Sequence, residues 1–255
     1  QFELDFHYTN LLEMADRLVF LRILLKEIAK KNNMFITFMP KPTIGDWRSG
    51  AHINFSMIDK NGKNIFDGGN KFSKECIFAV GGLMKHSEAL TAITCSTVNS
   101  YNGLVPRDGG FEGGTVTWAP TNITYGHNNR SAQFRLPQNR YCIENRAADM
   151  TMNVYLSLSM TISAAIKGIE EKIHPGAPTD QDLYNMSASE FKKLGIKRLP
   201  RNLLIAIEAL KNDKLTDEVL GPVMKKSLLA YKNDEWERYH QAVTDWEVKE
   251  YLRLY

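Results

Sequence analysis

The sequence is poor in cysteine, has little net charge of either sign and contains no long apolar run. Its three cysteines, Cys76, Cys95 and Cys142, stand far apart with no CxxC spacing among the 255 residues. That argues against a disulfide framework or a thiolate zinc site and fits free thiols in a reducing cytoplasm. A formal net charge of +3 is too small to argue for a nucleic-acid partner, and no basic patch with interleaved aromatics supports one. No stretch reaches the roughly 18 apolar residues of a membrane span, so no membrane partner is expected. Leader pattern, internal repeat and low-complexity tract are all absent. The chain also has no initiator Met. It opens on Gln1-Phe2-Glu3-Leu4-Asp5-Phe6, already alternating like a strand, and is read as starting partway through a longer protein.

What remains is ordinary for a globular domain: 43% apolar and 24% charged residues, enough to bury one sizeable core. Residues 1–8 alternate as a strand with Glu3 and Asp5 on one face. Residues 10–31 carry an amphipathic helical pattern, with Asn10 as a cap and basic residues at its end. Strands are expected over 35–39, 51–58, 116–125, 130–136 and 141–146, and a turn at Asn61-Gly62. Helices are expected over 74–94, 153–173, 203–210, 217–233 and 235–254. Strands therefore concentrate in the first 150 or so residues and helices in the rest. That is an α+β layout, an antiparallel sheet backed by helices with a helical C-terminal part.

Four constellations could carry chemistry. In Gly50-Ala51-His52-Ile53-Asn54-Phe55-Ser56, strand parity puts His52, Asn54 and Ser56 on one face and Ala51, Ile53 and Phe55 on the other. The polar row could bind a metal, a phosphate or a nucleotide, or be a solvated strand surface. In Tyr141-Cys142-Ile143-Glu144-Asn145-Arg146, Glu144 and Arg146 share a face, as a site for metal and phosphate or as a surface ion pair. Arg130 and Arg135 suit phosphate or carboxylate because a guanidinium donates two parallel hydrogen bonds. Being five apart, they reach one site only if the strand is bulged or curved. The glycine-dense stretch 99–114 has the composition of a lid or of a long surface connection.

Taken in order, several of these strings resemble the glutamine synthetase family: Thr37-Phe38-Met39-Pro40-Lys41-Pro42, Ser49-Gly50-Ala51-His52, Asn99-Ser100-Tyr101, Asn129-Arg130-Ser131 and Ile143-Glu144-Asn145-Arg146. Gly81-Gly82-Leu83-Met84-Lys85-His86, Gly168-Ile169 and Lys172-Ile173-His174-Pro175-Gly176 look like that family as well. The resemblance implies an antiparallel sheet forming part of a funnel, in a ring-shaped, dodecamer-like homo-oligomer whose sites lie between subunits. It implies ATP-dependent joining of glutamate to ammonia or a small amine through a γ-glutamyl phosphate, with Mg²⁺ or Mn²⁺. The matching metal positions are Glu3, His52 and Glu144. The matching phosphate and substrate arginines are Arg130, Arg135 and Arg146, and Gly50, Asn54 and Ser56 match substrate- and nucleotide-facing positions. A small N-terminal β domain and further metal-binding glutamates belong to the family pattern and are not in this sequence. The whole of residues 1–255 is thus expected to be one catalytic domain, sheet-rich over 1–176 and helical over 177–255.

The departures are specific. Asn54 replaces a second histidine and cannot titrate. Trp47-Arg48 stands where Asn-Gly is usual, and Cys142 replaces an arginine. Gly103 stands where an arginine for the substrate carboxylate is usual, with Arg107 as a shifted substitute. Glu112 matches the flap glutamate that helps deprotonate the amine. Thr117-Trp118-Ala119-Pro120, Tyr125 and Asn128-Asn129-Arg130 look like the type III branch, which includes γ-glutamylmethylamide synthetases, so an alkylamine is the alternative to ammonia. A family member that only binds or regulates, and one that phosphorylates a different acceptor such as a guanidine, are the other readings. The C-terminal aromatics, from Trp236 to Tyr255, are expected to pack on the core, with a subunit interface as the alternative.

Overall fold

The computed structural model describes residues 1–43, 46–104 and 119–255. Helix α1 (Leu11–Lys31) starts where Asn10 accepts a hydrogen bond from the Glu13 backbone N–H and ends in Lys30 and Lys31, cations suited to a helix C-terminus. It docks on helix α5 (Val154–Glu170) through Tyr155 Oη, which donates to Asp16 at 2.6 Å, and on the loop ahead of α5 through Arg22, whose Nη1 donates to Met150 O at 2.8 Å.

The periodicity over 74–94 resolves into two helices, α2 (Lys74–Lys85) and α3 (Ser87–Thr94), broken at His86. A partly buried hydrogen bond marks the break: His86 Nδ1 lies 2.8 Å from Asp213 Oδ2. Burial would raise the Asp213 carboxyl, but the His86 hydrogen bond and charge outweigh it and hold the group below its ordinary value. A short helix, α4 (Val98–Tyr101), follows.

Strands β1 (Ile53–Phe55), β3 (Tyr125–His127), β4 (Phe134–Leu136) and β5 (Ile143–Asn145) form a sheet of order β1-β5-β4-β3; β2 (Asn122–Ile123) lies outside it. The β1–β5 and β5–β4 ladders are antiparallel, as expected, but β3 and β4 run parallel. The chain turns back between them within residues 128–133, helped by Asn128 at φ 52, a backbone region that asparagine tolerates. The later elements are α6 (Ala188–Lys193), β6 (Lys197–Arg198), α7 (Leu203–Asn212), α8 (Lys214–His240) and α9 (Asp245–Tyr251). Helix α8 breaks at Gly221 (φ 67), just before Pro222. Strand β6 pairs with β2, so a ladder crosses the expected division at residue 176. Among the described residues no helix is long and apolar enough to cross a membrane.

Three expectations need correction. Residues 1–8 and 35–39 belong to no ladder, and 1–8 are exposed throughout. Alternation sets which side chains share a face, but a strand also needs a neighbouring backbone to pair with, and among the described residues none pairs with these segments. The C-terminal aromatics do not pack on the core as a group. Trp236 does, but Trp246, Tyr251 and Tyr255 are exposed, with Trp246 meeting Tyr251 edge to face at a ring-centroid distance of 5.5 Å and Tyr251 tilted against Tyr255. The remaining expected strand 116–125 is described only from residue 119, and the loop expected over 99–114 only to residue 104.

Candidate active site

One row of side chains crosses the sheet. In register, Asn54 of β1 faces Glu144 of β5, Glu144 faces Arg135 of β4, and Arg135 faces Gly126 of β3. The β1 alternation holds as expected: Ile53 and Phe55 are buried beneath, and His52, Asn54 and Ser56 lie on the open face.

Glu144 is the centre of this face, at 3% exposure. Its Oε2 accepts from Arg135 Nη1 and its Oε1 from Arg146 Nη1, both at 2.8 Å. His52 Nδ1 lies 3.2 Å from the same Oε1. Burial alone would raise the Glu144 carboxyl. The His52 hydrogen bond, the Arg146 charge and the Arg135 hydrogen bond reverse that and bring it down to about 2. Burial lowers the Arg146 pKa and Glu144 opposes the shift. This is no surface ion pair: two guanidiniums and an imidazole converge on one desolvated carboxylate.

The neighbours complete the geometry. Arg146 Nε donates to the Arg130 carbonyl at 3.0 Å, which ties β5 to the loop before β4. Arg130 is exposed on that loop and Arg135 is within β4, so the two arginines approach the site from a turn and a strand rather than from one bulged strand. Arg135 Nη2 donates to Asn128. Arg140 Nη2 donates to Asn54 Oδ1 at 3.0 Å. Gly50 leaves space for the imidazole, since a Cβ there would sit 3.2 Å from His52 Nε2. Tyr184 donates to Ala119 O at 2.8 Å; burial raises its phenol and the Arg146 charge opposes that.

The structure thus brings together His52, Asn54, Arg135, Glu144 and Arg146, with Arg130 joined through its carbonyl. Glu3 is exposed on the segment ahead of α1, and among the described residues no group of three His, Cys, Asp or Glu side chains is arranged to hold a metal. Arg107 and Glu112 lie outside the described residues. Arg140 and Tyr184 were not legible as site neighbours. Neither sits in a motif, and each arrives through a contact spanning 65 residues or more.

A carboxylate held ionised beside an imidazole, with guanidiniums behind it, has the donors of a phosphoryl-transfer centre that uses a hard divalent cation. The sequence comparisons give the family. Residues 1–251 match the profile of the glutamine synthetase catalytic domain, and the chain belongs to that family. It is 37% identical over 267 residues to a glutamine synthetase of Pyrococcus abyssi, covering 99% of this chain and 58% of the relative. It is 37% identical over 260 residues to a glutamate–methylamine ligase of Methyloversatilis universalis, covering 100% of this chain and 57% of the relative. A solved structure described as a GmaS/ADP complex superposes with a TM-score of 0.85 at 33% identity, covering 97% of this chain and 56% of that one. The chain therefore spans a little over half the length of these relatives.

Proposed function

We propose that this chain carries the catalytic part of an ATP-dependent carboxylate–amine ligase, one that joins ammonia to the side-chain carboxylate of glutamate. The observation that carries the reading is Glu144, buried and ionised among Arg135, Arg146 and His52, in a chain of the glutamine synthetase family. Methylamine or another short alkylamine in place of ammonia is the second reading, favoured by the similarity to a glutamate–methylamine ligase.

In the first step the γ-phosphoryl group of ATP passes to a carboxylate oxygen of glutamate, giving an acyl phosphate and ADP. In the second the amine nitrogen attacks the acyl carbon, phosphate leaves and the nitrogen loses a proton. Bound Mg²⁺ or Mn²⁺ would neutralise phosphate charge and orient the transfer. His52 and Glu144 fit such an ion: both are hard or borderline donors, and Glu144 is already ionised, as a ligand must be. Glu3 is proposed as a third ligand from its motif. Arg130, Arg135 and Arg146 would stabilise charge on the transferring phosphoryl group. Gly50, Asn54 and Ser56 would face substrate and nucleotide, with Arg107 on the acid substrate and Glu112 on the amine. A cytoplasmic, ring-shaped homo-oligomer is proposed with the activity.

Product identification by mass spectrometry tests this, using the intact protein with ATP, Mg²⁺ or Mn²⁺, glutamate and amines from ammonia through methylamine to ethanolamine. A His52-dependent amide is expected, and the preferred amine chooses between the two readings. ATP binding without amide from any amine would overturn both.

A further inference from the structure

One buried side chain that the mechanism does not use joins three segments of the site. Arg48 lies on the loop before β1, four residues ahead of His52. Its Nη2 donates to Asp149 Oδ2 at 2.9 Å and to Ala147 O at 2.7 Å, and its Nη1 reaches Ala148 O at 3.5 Å. The pair is sealed from solvent, with side-chain exposures of 3% for Arg48 and 0% for Asp149. Beside it, Ala51 N donates to Ala148 O at 2.9 Å. The loop ending in His52 is therefore stitched to the segment just beyond Glu144 and Arg146. Asp149 is itself anchored: its N–H donates to Thr94 O at 3.0 Å, and its Oδ1 accepts from Thr151 N at 2.9 Å.

The third segment is the exit of α4. The Arg48 stem crosses directly over Gly103. A Cβ on Gly103 would stand 2.4 Å from Arg48 Cδ, 2.7 Å from Cγ and 2.9 Å from Cβ. Three carbons of one stem crowd that position, so the clash would not be relieved by turning the tip of the side chain. Arg48 and Gly103 fit as a pair: the stem needs the space that glycine leaves.

A buried ion pair contributes little net stability over a well-packed apolar pair, because desolvation offsets the attraction. What the guanidinium supplies is geometry. Its planar fork engages three consecutive residues, which a lysine ammonium on a flexible stem would not hold in one arrangement. We propose that Arg48 is a positioning residue for the divalent cation, acting through His52 by fixing the imidazole against Glu144, and that Gly103 is the space its stem requires. The proposal rests on the ligase reading for the identity of the chemistry, and on the geometry of this chain for the role.

The test measures Mn²⁺ affinity of the intact protein, by the electron paramagnetic resonance signal of free Mn²⁺, alongside activity. Arg48→Met keeps most of the stem and removes the fork. It is expected to weaken Mn²⁺ binding by about tenfold or more, the scale on which disturbing the support of a metal ligand acts. The Mn²⁺ concentration needed for half-maximal rate should rise while kcat at saturating Mn²⁺ stays near that of the parent. Arg48→Lys should recover part of the affinity. Gly103→Ala, which displaces the stem and leaves the fork intact, should also weaken binding, and adding Arg48→Ala to it should cost little more. Gly103→Ala and Arg48→Lys decide the matter if Arg48→Met does not fold. Any of the three single variants that is folded and binds Mn²⁺ as tightly as the parent overturns the proposal, as does strict additivity of the pair. Weakened Mn²⁺ binding in a protein that makes no amide would remove the ligase reading and leave the positioning role standing. Amide formation with unchanged Mn²⁺ affinity in the variants would do the reverse.

Discussion

Gly82 of α2 meets Gly168 of α5 backbone to backbone: a Cβ on Gly82 would lie 2.0 Å from Ala164 O and 2.6 Å from the Gly168 Cα. The two helices cross without side chains between them, and that crossing supports the core beneath the sheet. Gly168→Ala would place a methyl 2.2 Å from Phe78 O. Alanine is favoured over glycine in a helix interior by about 1 kcal/mol, but overpacking against rigid backbone costs about 1–3 kcal/mol. The clash should win, and the melting temperature should fall by several degrees. A melting temperature that rises with Gly168→Ala would refute the close crossing.

The Glu144 carboxyl gives the fold a pH dependence of definite sign. Its ordinary value is 4.5 and its folded value about 2, so the folded state binds fewer protons between them. Its contribution is fully present above about 4.5 and is lost as the pH falls through about 2. Glu144→Gln removes that contribution and leaves Arg135 and Arg146 without their carboxylate. The variant should lose about 3–5 kcal/mol at neutral pH, as broken buried pairs do, and show a flatter decline towards acid. Chemical denaturation between about pH 3 and 7 reads both effects. An acid limb as steep in Glu144→Gln as in the parent would mean that other carboxylates dominate it.

Parity carried much of the site in the sequence. The His52–Asn54–Ser56 row and the Glu144–Arg146 pair were legible because side chains on a strand alternate, and the helix cap at Asn10 because capping is local. Pairing was not legible. The same alternation in residues 1–8 and 35–39 predicts strands that find no partner, and nothing local marks β3 and β4 as parallel. Depth was not legible either. Glu144 with Arg146 reads equally as a surface pair until Arg135 and His52 arrive from other strands to desolvate it. Arg48 and Gly103 looked like two unrelated departures from the family pattern. Only the fold shows that one side chain fills the space the other leaves.

Arg146 should answer differently to charge and to shape. Its Nη1 holds Glu144 while its Nε holds the Arg130 carbonyl, two directions that one ammonium group would not serve together. Arg146→Lys should therefore keep the fold and the buried charge but lower kcat by about 10²–10³-fold, the scale of losing one preorganised donor to a developing anion. Steady-state kinetics at saturating ATP and metal would show it, and a kcat within a few-fold of the parent would remove Arg146 from the transfer step.

Helix α9 poses the remaining question of assembly. Its start is well defined, since Thr244 N donates to Glu247 Oε2 at 2.7 Å and Glu247 N donates back to Thr244 Oγ1 at 3.2 Å. Yet none of its residues is buried, and Trp246, Val248, Tyr251, Leu252, Leu254 and Tyr255 remain exposed on it and just beyond. A capped helix that presents aromatics and leucines to solvent has the composition of an interface, where such residues are enriched. A second copy of the chain is the partner consistent with the proposed ring. Paired substitutions Trp246→Asp and Tyr251→Asp leave the capping box intact and should leave the helical circular dichroism unchanged. Sedimentation of the intact protein should then show a smaller particle than the parent. A variant that sediments as the parent does would place the subunit contacts elsewhere and leave α9 as an exposed apolar helix without a role in assembly.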